Sequence, residues 1–457
     1  MALGSSRLKE RLLEIGVKWL LHDPERNFPK MLKIAEKLAK EPHHKEMVLA
    51  VKRVLSDENS PWYVYARRLL TQTHPNIRER MALNFFVNAT FQGVPRQKEW
   101  ESRLGVGIPW AILMDPTERC NLRCQGCWAG DYQGTHDLEF ELMDRILTEA
   151  EELGIYFIVL SGGEPTIRWK DIVKLAERHS QQVFHLFTNG TLIDQNFVDD
   201  MVRLGNITVA LSLEGFEERT DARRGKGVFA KVMKAMDLMR QAGVIYGVSI
   251  TYNRLNTEEV GSDAFVDMLI DRGVAFGWYF TYIPIGKDVD LKMMATPQQR
   301  AWMYERMQYF RKTKPIFLVD FWNDGQHSNG CIAGGRRYFH ITAAGEVEPC
   351  AFVHYSCCNI KDMSLIEVLK NPLFRAYQKR QPFHCNPLRP CPLIDNPEKM
   401  VEMVLESGAY STNVHGGEGP EEFAAKLVPY ARDWGKVADS LWNGRDLEER
   451  KRLEAGA

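Results

Sequence analysis

From residue 108 onward, short apolar runs alternate with amphipathic stretches. The apolar runs have strand length and cover residues 110–114, 155–160, 183–187, 207–213, 244–251 and 274–283. Between them the apolar positions recur at helical spacing, as in Phe140, Ile146, Leu147, Ala150 and Leu153. Strands alternating with helices predict βαβ units, an α/β fold class and a parallel sheet. Six units are too few for a closed eightfold barrel, so the pattern predicts an open, partial barrel or a doubly wound sheet. In either case function belongs at the C-terminal ends of the strands.

The flanks have a different texture. Phe28, Met31, Leu32, Ala35, Leu38 and Ala39 form a helical stripe, with Lys30, Lys33, Lys37 and Lys40 largely off it. Further helices are predicted over 45–55, 62–71 and 77–91, and residues 93–107 read as a linker. After about residue 315 the alternation stops. A Cys-, Gly- and Pro-rich stretch covers 320–397, and helix returns over 420–442 after Gly416-Gly417. The expected organisation is a helical region over 1–105, the α/β unit over 106–318, a cysteine-rich domain over 319–400 and a helical segment over 401–457.

Composition narrows the class. Hydrophobic residues make up 44% and charged residues 26%, as in soluble globular proteins, which excludes disordered and low-complexity classes. The longest apolar run, 155–160, falls far short of the ~20 residues of a membrane span. The opening MALGSSRLKE leads into no apolar h-region, so a cytoplasmic location is expected. Nine cysteines, an odd count, point to reduced thiols or metal sites and away from a disulfide framework. Net charge is −1, but residues 1–105 hold 19 basic against 12 acidic side chains. Such a segment suits an anionic partner, with a solvated helical surface as the plain alternative. Trp19 among apolar and basic neighbours suits a peripheral membrane contact. No nucleic-acid module is present, so no nucleic-acid partner is expected.

The sharpest feature is Cys120-x3-Cys124-x2-Cys127, just past the first strand. Three soft thiolates within eight residues can converge on one metal centre. Closed zinc sites and iron–sulfur clusters normally take four ligands, so three predict a cluster with one open iron. This loop resembles that of the radical S-adenosylmethionine (SAM) superfamily. The resemblance implies a partial (β/α)6 TIM-like barrel and a catalytic 4Fe–4S cluster on Cys120, Cys124 and Cys127. It also implies SAM chelated through its amino and carboxylate groups, and an external electron donor such as flavodoxin or ferredoxin. Where many members carry an aromatic before the third cysteine, this chain has Gly126, and Trp128 follows instead.

Other segments extend the resemblance. Ser161-Gly162-Gly163-Glu164-Pro165 is similar to the GGEP motif, whose backbone and glutamate hold the SAM amino group. Thr188-Asn189-Gly190 ends the third strand, and Ser212-Leu213-Glu214-Gly215 ends the fourth. Ser249 lies in a stretch similar to the adenine-flanking strand, and Asp221-x2-Arg224-Gly225 resembles a DxxRG element. The implied SAM-binding set is Gly162, Gly163, Glu164, Pro165, Thr188, Asn189, Ser212, Glu214, Arg224, Ser249 and Trp128.

Six cysteines remain, and residues 337–347 between two of them read as a hairpin with Ala344-Gly345 at its turn. This resembles the opening of a SPASM or twitch extension, which holds auxiliary 4Fe–4S clusters. Six cysteines cannot fully ligate two clusters, so one auxiliary cluster is expected. Its expected ligands are Cys331, Cys350, Cys391 and Cys385, with Cys358 and His354 as rivals for the fourth place. Structural thiols or a zinc site are the alternatives. The expected activity is SAM-dependent radical C–H activation under anaerobic conditions. The substrate is either a membrane lipid chain or a peptide, and an iron–sulfur electron carrier is the non-enzyme alternative.

Overall fold

The computed structural model describes residues 13–24, 26–27, 30, 33, 49, 52, 56–130, 134–413 and 418–444. The stripe expected over 28–39, the helix over 45–55 and the Gly416-Gly417 break lie wholly or largely outside these. Helices α1 (Pro61–Gln72) and α2 (Pro75–Ala82) are followed by a π-helical stretch, Leu83–Gly93. The expected linker is instead helix α3 (Val94–Leu104). Glycines and a proline suggested a loop there. However, Pro95 sits in the first helical turn, where its missing N–H costs nothing, and Gly105 closes the helix at φ 66°.

All six expected strands form. They are β1 (Ala111–Met114), β2 (Phe157–Leu160), β3 (Val183–Thr188), β4 (Ile207–Leu213), β5 (Tyr246–Tyr252) and β6 (Phe276–Thr281). The crossover helices are α4 (Phe140–Leu153), α5 (Trp169–Arg178), α6 (Gln195–Leu204), α7 (Glu217–Arg224), α8 (Val228–Gln241) and α9 (Asp263–Asp271). In α4, Met143, Ile146, Leu147, Ala150 and Leu153 form one buried stripe against the sheet. Beyond α10 (Pro297–Thr313), the alternation runs further than its sequence pattern suggests. Strand β7 (Phe317–Asp320) pairs parallel to β6, and β8 (Tyr338–Ile341) pairs parallel to β1. The antiparallel β9 (Val347–Glu348) completes the expected hairpin. The sheet order is β7-β6-β5-β4-β3-β2-β1-β8-β9, an open barrel with the cysteine-rich hairpin built onto its first edge. Helices α11 (Pro372–Arg380), α12 (Pro397–Ser407) and α13 (Pro420–Asn443) cover that region.

The N-terminal helices close the bottom of the barrel. Arg68 donates to the carbonyl of Val274 and Asn84 to that of Ser180, both on loops leading into strands, and Asn76 donates to that of Val202 in the last turn of α6. Phe85 plugs this end against Trp110 and Phe157. The opposite, C-terminal end of the strands is left to the site.

Candidate active site

The cysteine triplet sits on the loop after β1. Asp115 N–H bonds Ile341 O at 2.9 Å, and Glu118 N–H bonds His136 O at 3.0 Å, so both ends of the loop are fastened. The turn after β2 lies flat against it. A Cβ on Gly163 would stand 2.2 Å from Arg119 O and 2.5 Å from Glu118 O, and Gly162 has φ 99°. Only glycine fits such an approach. Glu164 N–H bonds Arg119 O at 2.8 Å.

The Glu164 carboxylate is engaged within the protein. It is buried, and Oε1 accepts from Thr166 N–H (3.0 Å) and from the Thr188 hydroxyl (2.7 Å). Its Oε2 accepts from Asn189 N–H at 2.8 Å. Burial raises its pKa against these bonds. Glu164 thus binds the turns after β2 and β3 together. Asn189 Nδ2 then donates to Asn121 Oδ1 (2.8 Å), tying the third turn to the cysteine loop.

Helix α7 braces the loop from the other side. Arg223 donates to Gln125 O and Gly126 O, each at 3.1 Å, and contacts Glu214 Oε2 at 2.7 Å. Arg224 Nε donates to Glu214 Oε1 at 2.9 Å. The sequence pointed to Arg224 and missed Arg223, whose partners are loop carbonyls that no motif displays. Ser212 and Ser249 are register partners on β4 and β5, each half-buried. The absent aromatic before Cys127 has a structural counterpart. A Cβ on Gly126 would meet the Tyr282 ring at 2.8 Å, so a ring arriving from the end of β6 fills that place. Trp128 packs edge-on to His340 and tilted against Phe352, at ring-centre distances of 5.8 and 5.9 Å.

The three thiols feel one another. Burial pushes Cys120 up to about 11, with Glu164, Cys124 and Cys127 adding to the rise against a bond from Leu122 N–H. Burial also raises Cys127. Such a set is poised to exchange protons for metal, because a cationic centre lowers thiol pKa values outright. Among the described residues no three His, Cys, Asp or Glu stand close enough to hold one metal ion.

The second group converges in part. Cys331, Cys350 and Cys391 line one cavity of about 440 Å³, and burial pushes each up to about 12. The Tyr338 hydroxyl donates to Cys350 Sγ at 2.8 Å. Cys385 is exposed beside His384 and is not among the cavity's lining residues. Cys358 is buried elsewhere, and His354 bonds Asn413 and Ala351. The cavity follows the unpaired seam between β7 and β8, walled by Trp278, Phe321, Trp322 and Phe352, with Arg311, Asp324 and His327 among its polar groups.

Residues 114–263 match the model of the radical SAM superfamily, and residues 331–392 match SPASM, an iron–sulfur cluster-binding domain. The chain carries a radical SAM domain followed by a SPASM domain, and its relatives in this superfamily are enzymes. The superfamily binds SAM and a 4Fe–4S cluster, and SPASM domains bind auxiliary clusters. Fe-coproporphyrin III synthase of Methanosarcina barkeri is 31% identical over 163 residues, 35% of this chain and 40% of that protein. PqqA peptide cyclase of Granulibacter bethesdensis is 24% identical over 288 residues, 59% of this chain and 76% of that protein. Among solved structures, Streptococcus suis SuiB bound to S-adenosylmethionine shares the fold. Its TM-score is 0.54 at 18% identity, over 66% of this chain and 76% of SuiB. These comparisons lend no support to a membrane-lipid substrate. Among the described residues no helix is long and apolar enough to cross a membrane.

Proposed function

We propose that this radical SAM enzyme activates a C–H bond of a peptide that presents an aromatic or aliphatic side chain to the seam cavity. The observation that carries this reading is the cavity itself, about 440 Å³ in volume, which joins the auxiliary thiols to an aromatic wall. From that wall Phe352 reaches Trp128, the neighbour of Cys127, so substrate on the wall lies toward both cysteine groups. With its cluster and SAM bound, the family's chemistry is reductive SAM cleavage to a 5′-deoxyadenosyl radical that takes hydrogen from substrate.

The chain's residues supply the setting. Cys120, Cys124 and Cys127 would hold the catalytic cluster, while Cys331, Cys350 and Cys391 would hold one auxiliary cluster. The Gly162-Gly163 backbone, Ser212, Ser249 and Trp128 would line the SAM site. Glu164, Thr188, Asn189, Glu214, Arg223 and Arg224 keep the loop in place. The aromatic wall excludes water from the reacting centre. A planar tetrapyrrole is the second reading. It is favoured by the rings of Trp278, Phe321, Trp322 and Phe352 and by the name of the coproporphyrin relative.

The test is anaerobic reconstitution of the full chain, which should bind about eight irons if each of two clusters holds four. The triple variant Cys120→Ala, Cys124→Ala, Cys127→Ala should lose about half the iron and all SAM cleavage. The double variant Cys331→Ala, Cys350→Ala should lose the other half and keep some SAM cleavage. SAM cleavage persisting in the triple variant would end this reading. Product-coupled 5′-deoxyadenosine with a tetrapyrrole and not with peptides would move the substrate to the second reading.

A further inference from the structure

A buried charged trio lies outside the machinery described so far. His340, on β8, is fully buried. Its Nε2 meets Asp115 Oδ2 at 2.8 Å, and its Nδ1 meets Glu348 Oε2 at 2.8 Å. Asp115 directly follows β1 and opens the loop that carries Cys120, Cys124 and Cys127. Glu348 ends β9, two residues before Cys350. The same imidazole packs against Trp128, the residue after Cys127. One ring therefore touches the entrance of the first cysteine loop, its exit, and the strand that delivers an auxiliary thiol.

We propose that His340 is a positioning residue that ties the SAM-cluster loop to the auxiliary hairpin and holds a positive charge between the two cluster sites. The proposal rests on the reading of both cysteine groups as cluster sites. Both ring nitrogens face carboxylate oxygens at hydrogen-bond distance, an arrangement that an imidazolium satisfies with two N–H donors and a neutral ring with only one. Burial alone would lower its pKa, but Asp115 and Glu348 outweigh that and hold it at about 10. These two are the charged groups that act on it. The Thr412 hydroxyl holds the other Glu348 oxygen, which fixes the direction of that carboxylate. The imidazolium offsets one of the two carboxylate charges beside it, so removing it leaves more negative charge facing each cluster site, and an iron–sulfur cluster gains negative charge when it is reduced.

The test is a redox titration, followed by electron paramagnetic resonance, of the auxiliary cluster. The full chain carries Cys120→Ala, Cys124→Ala and Cys127→Ala, so that only the auxiliary signal remains. Adding His340→Gln should move the midpoint potential to more negative values, and adding Glu348→Gln should move it to more positive values. Opposite shifts at retained iron content support a charge held in place, whereas loosened packing would move both variants the same way. Unchanged potentials, or shifts of one sign, overturn the proposal. If His340→Gln fails to load iron, Glu348→Gln decides alone, and no positive shift there overturns it. Absence of iron in the parent triple variant is a distinct result: it removes the auxiliary-cluster reading itself and this proposal with it.

Discussion

At Gly163 the fold leaves no room for a methyl group. The carbonyls of Arg119 and Glu118 are backbone atoms of a fastened loop, so they cannot swing aside as a flexible side chain would. Gly163→Ala should cost about 1–3 kcal/mol, the usual range for overpacking. It should also reduce iron retention at the triplet, because the displaced carbonyls directly precede Cys120. Urea unfolding and iron assay on the same preparation check this, and a loss below about 0.5 kcal/mol would show that the turn is not pressed on the loop. His340 yields a pH prediction. Its folded pKa, about 10, lies above the ordinary 6.5. Its contribution to stability is therefore complete below about pH 6.5 and is lost as pH rises through about 10. The stability difference between the parent and His340→Gln should shrink steadily from pH 7 to pH 10. Tyrosine and lysine titrations common to both cancel in that difference. A difference that stays constant over this range would mean that His340 is neutral in the folded chain.

At the level of elements, α7 works as a clamp. Arg223 gives two charge-assisted bonds to carbonyls of the cysteine loop, each worth about 1.5–3 kcal/mol. Arg223→Ala should cost at least one such bond and release iron from the triplet, while the auxiliary site keeps its own. Equal loss from both sites would show a global effect instead. The same clamp marks what the sequence could show. Buried parallel strands are near-continuous apolar runs, so β1 to β6 were legible. Strand β7 has four residues, Phe317 to Asp320, and closely follows a 17-residue helix, which hid it. The pairing of β8 with β1 joins residues more than two hundred positions apart, and no local pattern encodes it. Within the site, the cysteines declared themselves by spacing and the Gly162-Gly163 turn by its resemblance to a family motif. Arg223, Tyr282, Asp115 and His340 did not, because each acts through a partner distant in sequence. Cys385 stood near Cys391 in sequence, yet the fold leaves it exposed and outside the cavity.

Across the whole molecule, two layers enclose one working end. The described N-terminal helices shut the bottom of the barrel, at the end away from the cysteines. At the top, the C-terminal region is fastened through one buried cation. Arg300 on α10 meets Asp395 at 2.6 Å, both fully buried, and lies 4.1 Å from the ring centre of Trp434 on α13. Asp395 Oδ2 also accepts from Cys391 N–H at 3.0 Å, so the pair steadies the loop that carries an auxiliary thiol. Breaking a buried pair from one side leaves an uncompensated charge and costs about 3–5 kcal/mol, whereas removing both charges is often close to neutral. Asp395→Asn keeps an acceptor for Cys391 N–H but strands Arg300, so it should fall in that costly range. Adding Arg300→Met removes the stranded charge, keeps much of the side-chain volume and should recover most of the loss. Denaturant unfolding of the single and the double variant measures the recovery. A double variant no more stable than Asp395→Asn would show that the contacts of the Arg300 guanidinium with Asn323 and Trp434, and not its pairing with Asp395, hold the C-terminal region to the barrel.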